Sequence, residues 1–406
     1  MKILQINVRY NYGSTGKITA DIHRYLVRNG HESVVLYGRK DKSEDKNVRR
    51  MCSEAYAKLN NLRSRIDGMV YGGCYFSTKK IIAEINKEKP DVVHIQCING
   101  YFVNIYSLVE WLKSSNIKTV LTLHAEFMYT ANCSHSFDCN RWQQGCGSCP
   151  DIKRATKSIF KDSTALSFEK MKNAFDGFGE NLVVVSVSEW LKERAQQSPI
   201  LKDKKHTVIY NGVDTDIFYC HGIADTEKIL KKDKEKIIFH ATAMFSDKDG
   251  HNKGGKYIIE LAERFKNKDV KIFVAGKTDV SSDLPDNIVL LGEIKERKAL
   301  AQYYSAADVS VITSKKETFS MICAESLCCG TPVVGFKAGA PEQISLKDYS
   351  QFVEYGDIDA LENAVNHWLE TETDKAEVAK KAKEVYSEEC MISQYCKVYQ
   401  EMIYEN

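Results

Sequence analysis

Strand-like and helix-like segments alternate along nearly the whole chain, and they do so twice. In the first half, the apolar runs at 2–8, 33–37, 91–96, 118–124 and 182–187 have strand length and β-branched content. Helical patterns stand between them, including 15–29, 78–89 and 104–115. The runs at 236–243, 270–275, 288–291, 308–313 and 332–336 repeat the arrangement. Strands joined through helices must run parallel, because a parallel pair needs a long crossover, and the helices then cover both faces of the sheet. The expected class is α/β, with two doubly wound, Rossmann-like parallel-sheet domains. A chain of 406 residues is long enough for each to bury its own core. The charged stretch 199–205 reads as the linker, which places the domains at 1–203 and 204–385, with a helical tail at 386–406.

Composition excludes several partners. A formal net charge of +2 gives no global polyanion-binding signature, so no nucleic acid is expected. The opening MKILQINVRY is one strand-length apolar run and not a secretory leader, and nothing reaches the roughly 18 apolar residues of a spanning helix. The expected location is the cytoplasm, with peripheral contact to the inner face of the plasma membrane open. The 13 cysteines are then expected to be mostly reduced, buried or metal-bound.

The stretch 317–336, ETFSMICAESLCCGTPVVGF, carries the densest chemical signal. A strand at 308–314 runs into a loop, Ser320 suits an N-cap, and good helix formers follow to Cys329. Gly330 suits the left-handed position past the helix end, and Pro332 forbids more helix. Strand–loop–helix–strand units place ligands outside the carboxyl ends of parallel strands. The helix N-terminus offers the backbone donors of Phe319, Ser320 and Met321 to a phosphate. Glu317, before the helix, can accept hydrogen bonds from a sugar, and Glu325, within it, from a ribose diol. The plainer alternative leaves both glutamates as solvated helix charges.

The pair Glu317 and Glu325 followed by Gly330-Thr331-Pro332-Val333-Val334 resembles the donor site of retaining GT-B glycosyltransferases, specifically glycosyltransferase family 4. Other landmarks stand in the same order: Tyr210-Asn211-Gly212-Val213-Asp214 with Phe218, Lys253-Gly254, Ala275-Gly276, Leu291-Gly292 and 303–308. The resemblance implies a GT-B architecture, two domains facing a cleft, the first on the acceptor side and the second binding nucleotide sugar. It also implies that the tail 386–406 packs back across the domains. Donor contacts are implied at Gly16, Asn211, Lys253, Glu317, Glu325 and the 319–321 amides, with Glu317, His124 and Lys253 as the catalytic candidates. Gly16 stands in a glycine-containing loop, 11–17, whose alternative reading is a tight turn. His124 ends a strand, where a histidine is otherwise a satisfied structural residue, and Ser188 and Glu189 end another. The chain departs from the family where many relatives carry an upstream arginine. Here 240–245 reads HATAMF, which leaves Lys248 as the candidate second cation.

Cys133, Cys139, Cys146 and Cys149 crowd the insert 133–149, with His135 nearby, and close on C-x2-C. Structural zinc, a cluster of free thiols and disulfides are the three readings, in that order. Four thiolates would leave a zinc ion no open position, so no catalytic role is expected for it. The D-x-D at Asp247 and Asp249 reads as a polar turn, and the resemblance implies no catalytic metal cofactor. The segments 49–66 and 154–175 mix basic and apolar residues in helical patterns that either cover a core or touch an anionic membrane.

The reading that joins these signals is a metal-independent, retaining transferase of the hexosyltransferase type. It moves a sugar from a UDP- or GDP-linked donor to a hydroxyl of a saccharide. The resemblance points to a lipid-linked oligosaccharide of bacterial capsule, O-antigen or exopolysaccharide synthesis. A GT-B sugar-nucleotide epimerase would bind the same donor without an acceptor. A zinc-stapled scaffold with a degenerate cleft would bind neither.

Overall fold

The computed structural model describes residues 1–40, 42–222, 226 and 235–404. It forms two compact units, Met1–Ile209 with Ile392–Asn406, and Tyr210–Met391. The first contains β1 (Lys2–Asn7), β2 (Glu32–Tyr37), β3 (Val48–Arg50), β4 (Val92–Ile95), β5 (Thr119–Leu123), β6 (Leu182–Ser186) and β7 (Lys205–Val208). All seven are parallel, in the order β3-β2-β1-β4-β5-β6-β7. The second contains β8 (Lys236–Ser246), β9 (Val270–Asp279), β10 (Ile288–Gly292), β11 (Val309–Ile312), β12 (Val333–Phe336) and β13 (Ser350–Val353). These six are also parallel, ordered β10-β9-β8-β11-β12-β13. In each sheet the order reverses beside its first strand, between β1 and β4 and between β8 and β11. Helices diverge there and leave a crevice at the strand ends.

The central strands are apolar because both faces are covered. In the second unit, β8, β9, β11 and β12 pack with Ile258, Leu261 and Phe265 of the helix Gly255–Phe265 and with Leu361, Val365 and Trp368 of the helix Ile358–Glu370. In the first, the buried Asn7 joins the ends of β1 and β4. Its amide nitrogen donates to Arg9 O at 2.7 Å, and its Oδ1 accepts from Cys97 N at 3.0 Å.

Two boundaries and two edge strands differ from expectation. The residues expected to form the linker include the start of β7, which pairs with β6, so the units divide after Ile209. β3 and β13 are short edge strands that no apolar run announced. The helix Glu388–Tyr404 starts in the second unit and from Ile392 belongs to the first. There Tyr399 Oη meets His94 Nδ1 at 2.6 Å and Tyr395 Oη meets Thr122 Oγ1 at 3.1 Å. Burial pushes the His94 pKa down to about 3, so the imidazole in this network is uncharged. Glu405, at the end of the expected helical tail, lies outside the described residues.

Candidate nucleotide-sugar site

The second unit gathers its polar chemistry at the switch point between β8 and β11. The chain leaves β8 through the loop that ends at Lys253-Gly254, and that loop lies along the segment after β11. Lys315 N donates to Asn252 O at 2.7 Å, and Thr313 Oγ1 donates to Lys253 O at 2.9 Å. Gly254 makes the fit possible. Its φ is +62°, and a Cβ there would stand 2.1 Å from Thr313 O, inside any allowed contact. Lys253 is thereby aimed at Glu317, and its Nζ donates to Glu317 Oε1 at 2.6 Å. Glu317 is itself held by backbone: its N–H donates to Ala338 O at 3.0 Å, and its C=O accepts from Ala340 N at 3.3 Å. Two residues expected to contact donor separately thus form one ion pair, 64 positions apart in sequence.

Ser320 caps the helix Met321–Cys328, its Oγ accepting from Cys323 N at 3.4 Å. Its φ of +88° is rare for a residue with a side chain. The other first-turn amides have no acceptor inside the helix, and the helix dipole adds positive potential there. Phe319 turns its ring inward against Tyr210, with centroids 5.8 Å apart, so only its backbone is available to a ligand. The helix is fixed to the sheet by Ser326 Oγ, which donates to Ser310 Oγ at 2.7 Å.

Glu325 lies on this helix and borders a cavity of about 230 Å³, together with Thr242, Gly276, Lys277 and Ile322. Burial pushes its carboxyl up to about 7, against the opposing pull of the Arg297 cation. Arg297 was not anticipated. Its guanidinium donates to Asp214 Oδ2 at 2.8 Å and lies 5.2 Å over the Phe218 ring. Asn211 is buried in the segment that opens the unit, beside Gly212. Lys248 is engaged elsewhere, donating to Asp279 Oδ2 at 2.7 Å. The D-x-D carboxylates are also separately committed. Asp247 accepts from the amides and hydroxyls of Ser281 and Ser282, and Asp249 pairs with Lys256 at 2.7 Å.

In the first unit, His124 Nε2 meets Gln96 Oε1 at 2.8 Å, and burial pushes its pKa down to about 4. It is therefore a neutral hydrogen-bonding group, and not a cation, at neutral pH. Gly16 lies in the helix Gly13–Arg28, one turn past its start, so the helix begins inside the expected loop 11–17. The close approach its missing side chain permits is to the chain's own backbone. A Cβ would sit 3.2 Å from Arg9 O, and Gly16 O accepts from Asn11 N at 2.9 Å. Ser188 caps the helix Glu189–Gln196, and Glu189 pairs with Lys192 at its surface.

The cysteine-rich insert is tied down by a carboxylate that sequence reasoning passed over. Glu126, fully buried, accepts from Ser136 N, Ser136 Oγ, Tyr129 Oη and the guanidinium of Arg194 at 2.5–3.3 Å. Cys133, Cys139, Cys146 and Cys149 are free thiols, and burial raises Cys133 to about 12 and Cys146 to about 11. Among the described residues, no group of three or more His, Cys, Asp or Glu side chains could hold a metal ion. The four thiols lie close enough to act on one another electrostatically, with their side chains not converged on a common point. Near the insert, Tyr71, Asn99, Tyr101, His135 and Arg154 line a second cavity, of about 330 Å³.

Comparison with known proteins decides the family. The Glycosyltransferase Family 4 profile matches residues 15–217, half of the chain, and the profile for Glycosyl transferases group 1 matches residues 223–385. The chain belongs to glycosyltransferase family 4. It is 20% identical to the Escherichia coli K12 protein WcaC, named for colanic acid biosynthesis glycosyl transfer, over 99% of this chain and 100% of that one. It is 22% identical to the N-acetyl-alpha-D-glucosaminyl L-malate synthase of Bacillus anthracis, over 81% of this chain and 89% of the relative. Its fold matches sucrose-phosphate synthase of Thermosynechococcus elongatus with a TM-score of 0.70 at 16% identity, covering all of both chains. It also matches Anabaena HepE in complex with UDP-glucose, with a TM-score of 0.63 at 15% identity over 98% of this chain and 99% of that one. The two parallel-sheet units are the GT-B fold.

Proposed function

We propose that this family 4 chain is a retaining, metal-independent glycosyltransferase that takes a UDP- or GDP-linked sugar and delivers it to a hydroxyl of a saccharide, of the lipid-linked kind used in bacterial surface polysaccharides. The observation that carries the reading is the Lys253–Glu317 pair beside the Ser320-capped helix at the switch point of the second sheet. A diphosphate there would meet the first-turn amides and the Lys253 ammonium, both placed before any charge develops on the leaving group. Glu325 would accept hydrogen bonds from the ribose hydroxyls in its cavity, and Glu317 from the sugar. The bond from C1 to the phosphate oxygen breaks while the acceptor oxygen bonds C1 from the same face. The acceptor proton passes to the departing phosphate. His124, uncharged, would serve as a hydrogen-bonding group and not as a cation. The relative solved with UDP-glucose supports a uridine donor, and the relative named for colanic acid supports a polysaccharide acceptor.

The test is the stereochemistry of product made from the donor that the protein turns over, read by the anomeric coupling in proton NMR. Retained configuration is expected. An inverted product would overturn the retaining assignment, and an epimerised nucleotide sugar formed without acceptor would replace transfer by epimerisation.

A further inference from the structure

A row of polar side chains crosses the core of the first sheet. Strand β1 pairs Gln5 with His94 of β4, and β5 pairs Val120 with the same histidine. Side chains two positions apart share a face, so Gln5, His94, Gln96, Thr122 and His124 all lie on one side of the sheet. Gln5, His94 and Gln96 are fully buried, where apolar side chains are the rule and an unsatisfied amide is costly. Both glutamines have specific partners. Gln5 Nε2 donates to Thr19 O, in the helix Gly13–Arg28, at 3.1 Å. Gln96 Nε2 donates to Gln5 Oε1 at 3.3 Å and approaches His94 Nδ1 at 3.4 Å. Gln96 Oε1 then meets His124 Nε2 at 2.8 Å.

The first link forces the direction of the whole row. Thr19 O is a backbone carbonyl and only accepts, so the Gln5 group that faces it must be the NH2. Gln5 therefore turns its oxygen to Gln96, which must answer with its own NH2. A flipped Gln96 would set two carbonyl oxygens against each other. The Gln96 oxygen is thereby the atom that faces His124, and because it only accepts, His124 Nε2 must carry the hydrogen. In a neutral imidazole protonated at Nε2, the other nitrogen is an acceptor. Such a nitrogen suits a hydroxyl donor and has no hydrogen to offer a carbonyl or phosphate oxygen.

We propose that Gln5 and Gln96 are positioning residues for His124: they hold its ring as the Nε2–H tautomer, which makes Nδ1 the acceptor for a saccharide hydroxyl. The saccharide in this statement rests on the transferase reading. The tautomer does not, because it follows from side chains of the first unit alone.

The test is NMR of the ligand-free full chain carrying ring-15N histidine, with the His124 signals assigned by their loss in His124→Asn. Wild type should show a protonated Nε2, a bare Nδ1 and a resolved ring N–H proton, with no titration between about pH 5 and 8. Gln96→Leu removes the acceptor. It should average the two tautomers, lose that proton signal and slow donor turnover about three- to tenfold. Gln96→Glu keeps an acceptor but adds a charge, so His124 should titrate nearer neutral pH and activity should fall as pH drops through that value. Gln5→Leu, one link further from His124, should blur the tautomer in the same direction, and it carries the test if position 96 does not tolerate change. A wild-type proton on Nδ1, or an unchanged His124 spectrum in the Gln96→Leu or Gln5→Leu protein, would overturn the proposal. A wild type that shows the expected tautomer but turns over no nucleotide sugar would support the relay and remove the transferase reading alone.

Discussion

Replacing Glu325 by glutamine should stabilise the free protein at high pH while weakening its hold on nucleotide. Burial pushes this carboxyl from an ordinary 4.5 to about 7. The native state therefore binds a proton more tightly than the unfolded chain. Stability from this group is fully present below about pH 4.5 and is lost as pH rises through about 7. The gap corresponds to roughly 3 kcal/mol at about 1.4 kcal/mol per pH unit. Glutamine keeps the shape and removes the charge that costs this energy, and Arg297 keeps Asp214 as its partner. At pH 8 the variant should be more stable by up to roughly 3 kcal/mol, or about 5–10 °C in the midpoint of the second unit. At pH 4.5 the difference should nearly vanish. Nucleotide affinity should move the other way. Wild type should bind more tightly as pH rises through 7, because ribose hydroxyls donate to the ionised carboxylate, and the variant should bind weakly with little pH dependence. Calorimetric unfolding of both proteins at the two pH values, with and without UDP, reads all of this. A variant that is less stable at pH 8, or equally displaced at both pH values, would refute the reasoning.

Lys253→Ala should cut kcat/KM for the donor by roughly 10²–10³-fold, the usual effect of removing one preorganised charge donor, with only a small change in thermal midpoint. Gly254→Ala should cost roughly 2–4 kcal/mol, measurable by urea unfolding, because its Cβ meets Thr313 O and its φ is positive. Arg194→Ala leaves the buried Glu126 carboxylate without its cation and should destabilise the first unit by roughly 3–5 kcal/mol. Ser320→Ala should lose about 1 kcal/mol of capping, while Ser320→Gly should lose less, because glycine accepts the positive φ.

The fold was legible because long apolar runs alternate with helical periodicity, and that pattern has few solutions. What escaped was short and polar. β3 reads Val-Arg-Arg and β7 reads Lys-His-Thr-Val, edge strands whose pairing comes from a neighbour and not from their own apolar content. The segment 49–66 reads as basic and apolar, but the helix Glu54–Asp67 buries Asn60 and Ser64 and exposes Leu59, Leu62 and Ile66. That arrangement depends on Asn60 and Ser64 finding local partners, which spacing cannot show. At the site, Glu317, Ser320 and Glu325 were readable from one local motif. The Lys253–Glu317 contact, Arg297 and the Glu126–Arg194 pair join residues far apart in sequence, and each arises from a single charged side chain with no periodic signature. Gly16 was assigned to a ligand loop because a glycine near a strand end suits one; the structure spends its small size on the chain's own turn.

The central claim, that the second unit holds a nucleotide sugar at the Lys253–Glu317 pair, is tested most directly by a donor panel. Wild type and Glu317→Ala would be screened against UDP-, GDP-, ADP- and TDP-linked sugars for thermal stabilisation and slow hydrolysis. One donor class should stabilise the wild type by a few kcal/mol at saturating excess, read as a raised midpoint, and be turned over by wild type and not by the variant. No response to any of these donors, or equal turnover by the two proteins, would contradict the account.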